Sequence, residues 1–142
     1  MIVLVQATVL TVGLNGRSEA LEDLPIRVIS MQSGLSAARS LKNEKVNSVI
    51  SRWDLADMAD GKFLRSLRAA KPHIPTIALI RGGDSRQEIA ARELGVSAVL
   101  SEDAGDELFQ STVANLLGLK GAVSIKSVTS AGTTNKELLR KR

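Results

Sequence analysis

Val49-Ile50-Ser51-Arg52-Trp53-Asp54-Leu55-Ala56-Asp57-Met58, followed closely by Phe63-Leu64-Arg65-Ser66-Leu67-Arg68, decides the fold. The first segment opens as a short apolar run and passes into a loop rich in aspartate. The second places Phe63, Leu64 and Leu67 on one helical face. A short apolar run leading into an amphipathic helix is one βα unit of a parallel sheet, whose strands are buried on both faces and so need not alternate.

The same alternation extends in both directions. Upstream, Ile2 to Val12 contains a first strand, and Leu14 to Leu24 is a short polar connection with one or two helical turns at Ser18 to Leu24. Pro25 opens a second strand, Ile26 to Ser30. Ser33-Gly34 leads into a helix, Leu35 to Asn43, with Leu35, Ala38 and Leu41 on one face. Val46 to Arg52 is the third strand. Downstream come a helix at Lys62 to Ala70, a strand at Thr76 to Ile80, and a helix at Ser85 to Leu94 capped by Asp84 and ended by Gly95. A strand at Val96 to Ser101 and a helix at Asp106 to Leu117 complete the series. The expectation is an α/β fold: a doubly wound five-stranded parallel sheet, flavodoxin-like, with a shortened first connection. In such sheets chemistry gathers at the carboxyl ends of the strands, so the residues just after each strand are the ones to question.

Composition bounds the rest. The chain has 142 residues, 44% of them hydrophobic, which suits one domain, 1–119, and a tail, 120–142. Past Leu119 lie Lys120, Lys126, Lys136, Arg140, Lys141 and Arg142 against Glu137 alone, a net of +5; with +4 for the whole chain, the body carries −1. The basic character therefore belongs to the tail, which reads as disordered. Aromatic residues make up 2% of the chain, so stacking platforms for single-stranded nucleic acid are nearly absent. Nucleic acid is expected only through the tail. Without cysteine, disulfides and Cys-based zinc sites are excluded, and a cytoplasmic setting is expected. Met1 to Val12 lacks a basic flank and is too short for a membrane anchor, which needs about 20 apolar residues. His73 has no second histidine or cysteine to share a metal with. Gly82-Gly83-Asp84 lacks the length and lysine of a phosphate-binding loop.

From Pro25 to Leu119 the ordered run of segments resembles the receiver domains of two-component response regulators, the CheY-like family. Val49 to Met58 resembles the strand that ends in the phosphoacceptor aspartate and its loop, and Phe63 to Arg68 resembles the helix after it. Ser33-Gly34 to Leu41 is similar to the second receiver helix, Ile74-Pro75 to Ile80 to the fourth strand, and Glu93-Leu94-Gly95 to Ser101 to the approach to the lysine.

The resemblance implies positions for five functional features, and this chain departs from each. The phosphoacceptor position falls on Arg52, the Thr/Ser position on Ile80, the lysine position on Glu102 and the aromatic switch position on Val99. The acidic pair that would help hold Mg²⁺ falls on Ala7 and Thr8 by ungapped counting, or on Gly13 and Leu14 if the first strand ends near Val12. Neither pair contains a carboxylate. The implied protein is a degenerate pseudo-receiver with no catalytic residue, metal or cofactor, acting through protein partners.

Arg52 and Glu102 exchange the charges that receivers place on those strands, so a reversed ion pair across the top of the sheet is expected. Trp53, Asp54 and Asp57 are expected around the same cleft, with Trp53 either a partner contact or packed over the sheet. By resemblance, the face made by the helix at Ser85 to Leu94, the strand at Val96 to Ser101 and the last helix would carry a partner or a second copy. Its candidate residues are Arg86, Arg92, Val99, Asp106 and Gln110. Two other readings compete: a phosphoreceiver with a displaced acceptor, Asp54 or Asp57, and a small-anion-binding module at the cleft near Arg52.

Overall fold

The computed structural model describes Val5 and residues 7–118. The expected tail, 120–142, lies outside the described residues. In chain order the elements are β1 (Ala7–Val12), a 3-10 helix (Arg17–Leu21), β2 (Ile26–Met31), α1 (Gly34–Asn43), β3 (Ser48–Arg52), α2 (Lys62–Ala70), β4 (Thr76–Ile80), α3 (Ser85–Leu94), β5 (Ala98–Ser101) and α4 (Asp106–Leu117). All pairings are parallel and the strand order is β2-β1-β3-β4-β5. The doubly wound sheet read from the sequence is present.

The sheet separates two apolar cores. On one face Leu10, Val12, Val49, Trp53, Ala78 and Ile80 pack against Ala37 of α1, Phe63, Leu64 and Leu67 of α2, and Ala91 of α3. On the other, Val9, Ile50, Ile77 and Leu79 pack against Leu21 and Leu24 and against Phe109, Val113 and Ala114 of α4. Side chains alternate across a strand, so each strand feeds both cores and reads as continuously apolar.

The first connection is short, as expected, but its helical part is a 3-10 segment that begins at Arg17 and ends at Leu21. It covers the second core with Leu21 and Leu24 in place of a full helix.

One expected helix face is corrected. Leu35 is 52% exposed, and α1 instead buries Gly34, Ala37 and Ser40, with Leu41 packed at the core margin. The cause is close approach: a Cβ on Gly34 would lie 2.5 Å from Sδ of Met58. The loop after β3 presses on the start of α1, so small residues face the sheet and the leucine at position 35 turns outward. No helix among the described residues is long and apolar enough to cross a membrane.

Candidate functional site: the carboxyl edge of the sheet

Arg52 is the last residue of β3 and lies in register with Leu79 of β4. Ile50, two residues earlier, points into the core under α4, so Arg52 rises from that same face. Ala98 and Leu100 of β5 also face that side, and Glu102 continues the alternation. The two strands stand about 10 Å apart with β4 between them. The arginine spans the gap, and its Nε donates to Oε2 of Glu102 at 3.0 Å. The reversed ion pair expected from the sequence is formed. Both side chains are about one-third exposed, so the pair is only partly desolvated. Glu102 is held from below, its N–H donating to the Ile80 carbonyl at 2.7 Å.

Arg17 completes the arrangement, and sequence reasoning missed it. Its Nη1 donates to the Glu102 carbonyl at 2.8 Å and its Nη2 to the Ala104 carbonyl. Its guanidinium lies 5.3 Å from the Phe109 ring centre and 3.7 Å from Asp106. Arg17 thereby fastens the shortened first connection to the loop after β5. The only available signal was that Arg17 is the one cation in an otherwise acidic and neutral connection. A recess of about 220 Å³ remains, walled by the Gly13–Asn15 turn, Arg17, Arg52, Leu79, Glu102 and Asp103. Because β1 ends at Val12, Gly13 and Leu14 stand at its mouth and bring no carboxylate. Gly13 has φ 74°, and a Cβ there would meet Leu55 at 2.7 Å, so the turn passes too close for a larger residue.

The remaining expected site residues are dispersed. Ile80 is buried in the core on the opposite face, and Leu79 lines the recess instead. Trp53 is 1% exposed, which settles its two readings in favour of packing; it is no part of the cleft surface. Its ring lies against Gly61, where a Cβ would fall 2.3 Å away, and Arg65 stands over it at 5.3 Å.

Asp57 accepts the N–H groups of Gly34 and Leu35 at 2.9 and 3.0 Å. With Ser33, whose Oγ accepts from Ser36, it caps α1. Asp57 thus serves the start of α1 and not that of α2, whose N-cap is Gly61 with no side-chain cap. The two N–H donors, Gly34 first, hold the Asp57 carboxyl below its ordinary value. Asp54 closes its own loop by accepting from Asp60 N–H at 2.7 Å, accepts from Gln87 at 2.8 Å, and lies 3.6 Å from Arg81. Asp84 caps α3 through Gln87 N–H, as expected. Among the described residues, no three His, Cys, Asp or Glu side chains gather as a metal site.

The candidate interface is also divided. Arg86 is exposed on α3, Arg92 pairs with Glu88 at 3.1 Å, and Val99 is half-buried on β5. Asp106 and Gln110 also reach the 3-10 helix, through Arg17 and the Ala20 carbonyl.

No protein-family model matches the chain, and no curated protein matches it significantly. Solved structures do. The signal receiver domain of an HD domain-containing protein from Pseudomonas fluorescens Pf-5 superposes with a TM-score of 0.72 at 20% identity, covering 83% of this chain and 91% of that one. A response regulator receiver domain from Clostridium thermocellum gives 0.70 at 20%, covering 80% and 96%. The CheY-like receiver domain from Methanospirillum hungatei JF-1 gives 0.71 at 15%, covering 79% and 94%. The architecture is that of response-regulator receiver domains.

Proposed function

We propose that this chain is a pseudo-receiver, a regulatory module of a cytoplasmic bacterial-type signalling system that binds protein partners without being phosphorylated. The observation that carries this reading is the Arg52–Glu102 bond. It fills the space where, by resemblance, a receiver holds its aspartate, its lysine and the metal-bound phosphoryl group between them. An arginine cannot serve as an aspartyl nucleophile, and the Gly13–Leu14 turn offers no carboxylates for Mg²⁺. A fixed cation there supports one constant conformation in place of a switch.

The displaced-acceptor reading is disfavoured by the duties of its candidates. Asp57 is bonded through both oxygens to the start of α1, and Asp54 ties its own loop to α3. Small-anion capture is disfavoured because Arg52 is already partnered by Glu102, while Asp103 adds a second carboxylate to the recess. For the partner or second copy, the face of α3, β5 and α4 is the candidate surface.

The test is incubation of the full chain with acetyl phosphate or beryllofluoride and Mg²⁺, followed by intact mass and Trp53 fluorescence. Unchanged mass and spectrum are expected. A Mg²⁺-dependent mass gain mapped to Asp54 or Asp57 would overturn the reading.

A further inference from the structure

At the opposite edge of the sheet from Arg52, the loops joining α1 to β3 and α2 to β4 leave a recess of about 270 Å³ between them. Its floor is apolar, made by Leu41, Val46, Ile74 and Pro75, of which Val46 and Ile74 are buried. Its rim carries Lys45, Lys71, His73 and Glu44. Glu44 turns to Arg27 at 3.3 Å. Lys45 and Lys71 enter none of the ion pairs among the described residues. The recess thus combines an apolar seat with two unneutralised lysines.

The walls are preformed. Arg68 Nη1 donates to the Pro72 carbonyl at 2.8 Å, and Ile74 N–H to the Lys71 carbonyl at 3.2 Å. Ser48 Oγ donates to the Pro75 carbonyl at 3.2 Å, while Asn47 exchanges two 2.8 Å bonds with Thr8. A surface held in this way loses little conformational freedom when a partner binds. Complementing the carboxyl end of a helix accounts for Lys71, which caps α2. It accounts neither for Lys45, in the loop beyond α1, nor for the apolar floor.

We propose that this recess docks an acidic segment of a partner protein, seating one apolar side chain on Val46 and Ile74 and setting flanking carboxylates against Lys45 and Lys71. An apolar anchor within a charged rim is how a small interface obtains both affinity and orientation. The site lies at the far end of the sheet from the Arg52–Glu102 bond, so it stands or falls independently of the pseudo-receiver reading.

The experiment is an NMR titration of the full chain, isotope-labelled, with a blocked pentapeptide whose central leucine is flanked on each side by two aspartates. Saturable shifts are expected at the amides of Lys45, Val46, Lys71 and Ile74. Affinity should fall about fivefold or more in a Lys45→Gln/Lys71→Gln variant, and likewise when alanine replaces the peptide's leucine, but not in Lys62→Gln, at the far end of α2. Absent or non-saturating shifts, shifts confined to residues 120–142, or affinity indifferent to the double substitution would overturn the proposal. So would a thymidine oligonucleotide of equal charge that produces the same shifts at lower concentration, since the lysines would then serve phosphate.

Discussion

Arg52 at the end of β3 and Glu102 just past β5 are joined over Leu79 by a 3.0 Å hydrogen bond, two strands apart on one face of the sheet. The pair is oriented as well as attracted, because Arg17 and the Ile80 carbonyl hold the backbone of Glu102 on both sides.

Reversing the pair should therefore be better tolerated than breaking it. Arg52→Glu places two carboxylates together and should cost about 1–3 kcal/mol, a value between exposed and buried pairs. Arg52→Glu combined with Glu102→Arg should recover part of that loss. Urea unfolding of the four proteins in the cycle measures the coupling, and strictly additive effects would show that the bond contributes nothing.

Installing the charges that receivers carry at these two positions should not install their chemistry. Arg52→Asp with Glu102→Lys supplies an acceptor and a lysine, but Gly13 and Leu14 still supply no metal carboxylates. The double variant is expected to gain no mass with acetyl phosphate and Mg²⁺. Phosphorylation of the introduced aspartate would mean that the metal site is not what is missing.

Gly61→Ala should be among the most damaging single substitutions. Gly61 has φ 73°, and its missing Cβ is replaced by the Trp53 ring. Left-handed strain and overpacking together should cost about 2–4 kcal/mol. Trp53 emission should move to the red as the ring is displaced. An unchanged melting temperature and spectrum would refute the packing described for this corner.

Acid should loosen the start of α1 as Asp57 takes up its proton. The Asp57 carboxyl titrates below its ordinary value of 3.8 because it accepts the Gly34 and Leu35 N–H groups. Its folded-state value is depressed, so its contribution is complete above the unfolded value and disappears as pH falls through the folded one. Amide exchange at Gly34 and Leu35, compared with α3 across that acidic range, reads the effect. Asp57→Asn should flatten the difference. An identical acid profile in the variant would show that the cap has no energetic role.

The order of elements was legible because each strand is a short apolar run and each helix shows its own period. Lys62–Ala70, Thr76–Ile80, Ser85–Leu94 and Asp106–Leu117 are bounded by prolines, glycines and caps, and they appear in the structure with the limits read from the sequence. The Arg52–Glu102 pair was legible for a related reason. Two charges of opposite sign at the ends of strands in one sheet have few other partners, and the register followed from a resemblance.

Other features were decided by contacts between segments distant in the chain. Leu35 turned outward because Met58 crowds Gly34, a neighbour across 24 positions. Asp57 served α1 and not the helix that follows it, and Arg17 reached residues 85 and 87 positions away. Trp53 was buried by a glycine eight residues later, at the start of α2. The sequence by itself determined the layers, the strand count and the residue types set at the carboxyl edge, since these depend on periodicity and composition. Which side chains meet at that edge, and which loops close on which helices, was left to the tertiary structure. Those contacts depend on distances between segments, which local pattern does not encode.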